Sequence, residues 1–368
     1  MSWSWKTSES FFNDVGTITI SAPQVVINNG FISTSTLGSG RAGDISITAG
    51  TLALENGGQI ASASIATASG HGGDVHLNLS DSLTISGRSP TGRSVLPAPF
   101  SDFFTDPRSG IFTTTAGSGP GGNIAIQSPQ IQLRDGGTIS AASTGAAEAT
   151  AGSIDITFGD LFSLNGSTIT TAAAFADGGN ITITSTGSLL HLVDSQITTS
   201  VQSGVGGGGN ITLGSTGHPL DFIVLDNSGI HADAFGGPGG NINIFANVMF
   251  SSTPIETAVT ASSALSAPGT VSINAVITDV SGSLAELSTE VLGVAALLRA
   301  SCAARLAEGK TSSLVVAGRE GVPLEPGGLL PSALRELHAA GVAGSAAPFF
   351  ASEWPGLRRS YLDAACGR

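Results

Sequence analysis

The chain is short of charge. Asp, Glu, Lys and Arg make up 11% of its 368 residues, and lysine occurs only at Lys6 and Lys310. A surface built with so few charges must be made of Ser, Thr, Asn and Gly. The balance is acidic, −13 at pH 7, which argues against a partner recognised through phosphates, so no nucleic acid is expected. Aromatics are scarce at 5%, so the core must be aliphatic. No apolar run reaches the ~18 residues of a membrane helix, and no transmembrane segment is expected. The opening MSWSWKTSES lacks the apolar stretch of a signal peptide. The body nevertheless reads as extracellular, so the chain is expected to be the C-terminal part of a longer exported protein; a cytoplasmic solenoid is the alternative. Cysteine is confined to Cys302 and Cys366. An isolated pair suggests one disulfide in an oxidising compartment, with two free buried thiols as the alternative.

What the chain has in quantity is glycine, 51 residues, and a repeat centred on Gly-Gly-Asn-Ile-Thr-Ile at 178–183. Copies begin at Gly16, Gly43, Gly73, Gly122, Gly152, Gly179, Gly209, Gly240 and Gly269. Starts are 27 to 31 residues apart, except for the 49 between Gly73 and Gly122. Such a period marks a solenoid. Within a copy, aliphatics alternate with Ser and Thr in three short strand signals. In the second copy these are Ile45 and Ile47, then Leu52 and Leu54, then Ile60 after an Asn56-Gly57-Gly58 turn. Alternation puts aliphatics on one face and Ser/Thr on the other. Three strands per copy predict three parallel sheets, with Gly pairs at turns where φ > 0 is cheap. The residue after the pair is acidic or Asn at Asp44, Asp74, Asn123, Asn180, Asn210 and Asn241. These are expected to form a turn ladder, bonding turn backbone and one another up one corner. The third strand is expected to show a flat, small-polar outer face.

Three regions carry the domain plan: an irregular remnant over 1–15, repeats over 16–281, and a C-terminal domain over 282–368. The repeats hold an insertion, 87–109, rich in Pro, Gly and Arg, which excludes regular structure there. Its Phe100, Phe103 and Phe104 either fold back on the sheet or form an exposed contact loop. After Ser283 the pattern changes. Ser283 and Glu286 make a capping box, and Leu284, Leu287, Val291, Val294, Leu298, Cys302 and Leu306 recur at helical spacing. A short strand over 312–318 and a second helix over 332–338 complete an α/β cap. Leu284, Leu287, Val291 and Leu298 are expected to cover the last coil.

These coils and the tail segments Cys302-Ala-Ala-Arg305, SSLVV (312–316) and GREGVP (318–323) resemble the C-terminal region of filamentous haemagglutinin-like exoproteins. Those are the secreted partners of two-partner secretion systems. The fold class expected is all-β: a right-handed single-stranded parallel β-helix of about nine coils with a small C-terminal α/β cap. The handedness comes from the resemblance. So do a dedicated outer-membrane two-partner secretion transporter as partner and display as an adhesin towards a cell-surface or carbohydrate ligand. In some such exoproteins a disulfide-closed C-terminal loop anchors the chain at its transporter.

Catalytic chemistry is hard to find. Polysaccharide lyases and hydrolases need clustered carboxylates or a cationic base beside them. Here Asp155, Asp194, Asp221, Asp233 and Glu256 are scattered, and cations in the coils are mainly Arg41, Arg88, Arg93, Arg108 and Arg134. His71, His76, His191, His218 and His231 show no ligand spacing, although Asp221 and Asp226 could approach His231 within a coil. GGPGGNINI (236–244) resembles the calcium nonapeptide but lacks its Asp and its nine-residue period. The tail has none of the alternating strands of an autotransporter barrel. No metal, no cofactor and no enzyme activity are expected; a β-helical carbohydrate-active enzyme is the alternative. Non-reducing mass spectrometry of the exported protein should find Cys302 bonded to Cys366. That bond closes about 65 residues and contributes ~4 kcal/mol by loop entropy; free thiols at both positions would remove it.

Overall fold

The computed structural model describes residues 16–36, 38–64, 68–90, 106–145, 149–185 and 189–279. The chain divides into two compact units, Met1–Leu284 and Ala285–Arg368. Every described residue belongs to the first. The expected cap, with Cys302, Cys366 and the apolar stripe from Leu284 to Leu298, lies outside the described residues, as do Phe100, Phe103 and Phe104.

The first unit is a parallel β-helix. Coils one to five are built from β1 (Ile18–Asn28) and β2 (Phe31–Ser33), β3 (Ile45–Glu55) and β4 (Gln59–Ala61), β5 (Val75–Ser86) and β6 (Gly110–Phe112), β7 (Ile124–Arg134) and β8 (Thr138–Ser140), and β9 (Ile154–Asn165) and β10 (Thr168–Thr170). Coil six holds β11 (Ile181–Ser185), β12 (Leu189–Val193) and β13 (Gln196–Thr198). Coil seven holds β14 (Ile211–Leu213), β15 (Leu220–Asp226) and β16 (Gly229–His231). Coil eight holds β17 (Ile242–Ser251), a single turn α1 (Ile255–Ala258) and β18 (Val259–Thr260), and coil nine begins with β19 (Val271–Asp279). Nine first strands thus enclose eight complete turns among the described residues.

All strand pairing between neighbouring coils is parallel, and it is in register on either side of a bend in the long strands. One column runs Ile18, Ile45, Val75, Ile124, Ile154, Ile181, Ile211, Ile242, Val271. Its members from Ile45 to Ile242 are fully buried. A second buried column runs Ile32, Ile60, Ile111, Ile139, Ile169, Ile197, Ile230, Val259. Period-2 alternation explains both, since each strand points every second side chain inward.

The three expected sheets are two. The first two strand signals run as one hydrogen-bonded strand through a bend, giving an 11-stranded and an 8-stranded sheet. Small or cyclic residues, Pro23, Gly50, Pro129 and Gly159, stack near that bend, and a Cβ on Gly50 would lie 2.6 Å from the Pro23 carbonyl oxygen. The strand therefore continues through the bend, with the pairing between coils locally irregular there. Only in coils six and seven do the two signals separate.

The role assigned to the Gly pairs also needs correction. The second glycine of each pair has no positive φ; those values occur mainly at the turn before the third strand, as at Asn56 (φ 50°) and Gly57 (φ 89°). The pair is glycine because the backbones touch. A Cβ on Gly179 would stand 1.8 Å from the Gly152 oxygen, and one on Gly209 the same distance from the Gly179 oxygen.

Nor do Ser and Thr all face outward. Thr34, Thr113, Thr171 and Thr199 are buried two residues beyond the third-strand isoleucine. Their hydroxyls donate to the carbonyls of Gly43, Gly122, Gly179 and Gly209 at 2.5, 2.6, 2.8 and 2.8 Å. The glycine N–H donates back to the threonine carbonyl in all four coils. This pin closes these four coils across their own section, and it satisfies a hydroxyl that burial would otherwise leave unpaired.

Ile181→Asp should lower stability by about 4 kcal/mol or more, because it buries an unpaired charge between identical layers. Its outward neighbour Thr182→Asp should change little. Gly179→Ala should cost about 2–3 kcal/mol by overpacking a backbone contact. Thermal or urea melts of the three variants measure this, and equal sensitivity at 181 and 182 would contradict the alternation.

Candidate functional site

Four surfaces gather chemistry. The first is the corner at the start of each coil. The backbone N–H of Asp74 donates to the Asp44 carboxylate (2.8 Å), and that of Asn123 to Asp74 (2.7 Å). Further up, the Asn210 backbone N–H donates to Asn180 Oδ1 (3.0 Å) and that of Asn241 to Asn210 Oδ1 (3.0 Å), and the side-chain amides of Asn210 and Asn241 repeat the same bonds. Where Ser153 interrupts the column, the bond from the Asn180 N–H lengthens to 3.4 Å. Arg41 neutralises the two acidic members, reaching Asp44 at 2.8 Å and Asp74 at 2.7 Å. Two acids and a cation do meet here, but at a corner, with the carboxylates occupied by the ladder. The sequence-predicted turn ladder is thus one continuous column of hydrogen bonds.

The second surface is the stem of the insertion. Arg88 and Arg108 form an isolated antiparallel bridge, a short regular element where none was expected. Ser89 N–H donates to the Pro107 carbonyl and Ser109 N–H to that of Gly87. Buried Gln59 clamps the far side, donating to the carbonyls of Asp106 (2.8 Å) and Arg108 (2.7 Å). The Asp106 carboxylate accepts from the Arg108 guanidinium. Burial alone would raise its pKa, but the side-chain and backbone bonds from Arg108, with the charges of Arg108 and Arg88, outweigh that and hold it below 3.8. Reciprocally, the Asp106 bond makes the Arg108 guanidinium still harder to deprotonate.

The third surface is the outer face of the small sheet. It is not the uniform small-polar ladder expected. The rings of Phe112 and His231 interrupt it, and each lies over the glycine two residues earlier, Gly110 or Gly229, where no Cβ obstructs it. Around His231 a polar cluster forms. Thr260 Oγ1 donates to Asp233 Oδ2 (2.7 Å), while Ser262 donates to Oδ1 from both N–H (2.7 Å) and Oγ (2.8 Å). Since the Thr260 proton goes to Asp233, its oxygen accepts from His231 Nδ1 at 2.8 Å. The neutral ring then carries its proton on Nδ1 and its lone pair on Nε2. The approach of Asp221 and Asp226 to His231 gives way to this one: they sit on β15, in the other sheet. Asp221 instead accepts from Asn247 at 3.0 Å.

The fourth surface breaks the alternation rule. On the outer face of the large sheet, one register column reads Gln24, Thr51, Ser82, Gln130, then Leu161, Leu189, Phe222, Val248, Val276. It is polar in coils one to four and apolar in five to nine. Phe222 is 46% exposed and Val276 67%. Val224 and Phe250, two residues further along their strands, widen it. Single-sequence reading missed it because Leu161 and Leu189 each adjoin an inward neighbour, Phe162 and Leu190, and only the register shows which member faces out.

Among the described residues no three His, Cys, Asp or Glu side chains converge as metal ligands. None of the described helices is long and apolar enough to cross a membrane. Comparison with protein families, curated proteins and solved structures finds no match to the chain.

The insertion stem should respond to acid. A depressed carboxylate contributes stability that is complete above its unfolded pKa and lost as pH falls through the lowered folded value. Amides of Ser89 and Ser109 should therefore exchange normally for a folded stem at pH 7, and lose protection below about pH 4. Asp106→Asn should abolish that pH dependence. Hydrogen-exchange mass spectrometry of peptides spanning 86–110 checks it.

Proposed function

We propose that this chain is a structural and adhesive segment of a secreted, surface-displayed exoprotein of the filamentous haemagglutinin-like kind. The observation that carries the reading is the uninterrupted ladder. From Ile18 to Val271 nine rungs share one register, and most of their outward residues are Ser, Thr, Asn and Gln. That arrangement supplies flat, stiff faces rather than a cleft, which suits multivalent attachment more than turnover. The Gly-Gly-Asn/Asp coils and the tail segments add the resemblance that points to export through an outer-membrane transporter, and to a cell-surface or carbohydrate ligand.

One constellation sustains a second reading, a β-helical carbohydrate-active enzyme. His231 holds an Nε2 lone pair in the neutral ring, with Asp233 behind it through Thr260. A proton acceptor on an exposed sheet face is where such chemistry would sit. Against it, Asp233 is already engaged by Ser262 and Thr260, and a hydrolase of the usual kind needs a second carboxylate about 5–10 Å away.

Two measurements separate the readings. Antibody labelling and protease shaving of intact source cells should find the chain outside, and the purified chain should retain glycans or host cells without consuming them. Detection only inside the cell would overturn the exoprotein reading. Release of new reducing ends or unsaturated uronates from a polysaccharide panel, lost in His231→Ala, would favour the enzyme.

A further inference from the structure

The apolar column on the outer face of the large sheet needs an occupant. Five stacked side chains, Leu161, Leu189, Phe222, Val248 and Val276, occupy successive coils. Four steps of ~4.8 Å make the stripe ~19 Å long, and Val224 and Phe250 make it ~7 Å wide where they join it. Phe222 and Val276 are exposed and Leu161, Leu189 and Val248 half-buried, and such a partly exposed apolar run on a Ser/Thr/Asn surface marks an interaction site. Its dimensions match one face of an α-helix of about 13 residues, three to four turns at 1.5 Å per residue.

Charge decides what kind of helix. Asp160 and Asp221 precede stripe residues on their strands, Asp226 ends β15, and Asp194 follows β12 at the turn beyond. Between Arg134 and Arg299 the sequence holds no Lys or Arg at all. The stripe is therefore an apolar strip in an acidic frame. A second copy laid face to face would bring the same carboxylates against these, and like charges across an interface are repulsive. A phospholipid surface rich in anionic headgroups is disfavoured for the same reason. We propose that this face docks a basic amphipathic helix of a partner protein, its apolar side on the Leu161–Val276 column and its Lys or Arg residues towards Asp160, Asp221, Asp194 and Asp226. This is the helix-on-apolar-surface mode of recognition, with anchors at i, i+3, i+4 and i+7.

The test uses the full chain and a fluorescent peptide of Leu and Lys arranged with helical periodicity. Its controls are a scrambled peptide of the same composition and a Leu/Glu counterpart. Anisotropy titration should show binding of the periodic Leu/Lys peptide that weakens as salt rises, about tenfold weaker binding of the scrambled peptide, and none of the Leu/Glu peptide. Phe222→Ser should reduce affinity about tenfold or more, the step expected from losing a buried aromatic. Val276→Ser, a second outward position, should reduce it less but measurably, and both variants should melt like the parent. Equal affinity for the scrambled peptide, or no loss in either variant, would overturn the proposal in favour of unspecific charge attraction. A dimer in sedimentation that Phe222→Ser abolishes would assign the face to a second copy. Binding to phosphatidylcholine vesicles that Phe222→Ser abolishes would assign it to lipid. Either result would displace the helical partner.

Discussion

The structure depends on one distance, the ~4.8 Å between hydrogen-bonded parallel strands. Every coil must rise by that amount everywhere around its circuit, at corners as well as in strands. Where corner backbones meet at this spacing there is no room for a side chain, which is why Gly122, Gly152, Gly179, Gly209, Gly240 and Gly269 all approach the carbonyl of the equivalent glycine one coil below. The same distance brings like residues into register. Isoleucine meets isoleucine inside, and Asn meets Asn at the corner.

Interior and corner contribute differently. A buried isoleucine stabilises by ~1.5–3 kcal/mol and each coil holds several, whereas a net hydrogen bond contributes about 1 kcal/mol. The aliphatic columns therefore hold the stack together, the Asn/Asp ladder holds its register, and the threonine pins close single coils. Size is balanced between neighbouring layers. Phe158 sits between Ser128 and Ser185 in its register column, and packs edge-on against Phe162 at 5.6 Å. A large ring in one layer is thus accommodated by small residues in the two adjoining it, which keeps the section constant.

The outward positions carry no such demand, and there the coils differ. Coils one to four bear all the described arginines and a polar outer column, whereas coils five to nine bear the apolar stripe and, among the described residues, Asp and Glu but no Lys or Arg. One scaffold thus presents two chemically distinct halves to its surroundings. His231 and Asp233 add a hydrogen-bonded polar cluster beside the opposite sheet, on the second half.

How much was legible follows from the range of each interaction. The period, the strands, the inward isoleucines and the Asn/Asp corner are local patterns, each repeated in nearly every copy, so the sequence by itself determined the parallel β-helix and the residues of its ladder. What a glycine or threonine does was not legible, because its role depends on the coil below or on the far side of its own coil. Gly179 is glycine for a carbonyl 27 residues earlier, and Thr171 is buried for one eight residues later. The fusion of two strand signals into one sheet, the Arg88–Arg108 stem, the Asp233–Thr260–His231 chain and the Leu161–Val276 column were likewise decided by tertiary structure alone. Each joins residues whose sequence neighbours give no sign of the pairing, and only a common register across coils brings them to one face.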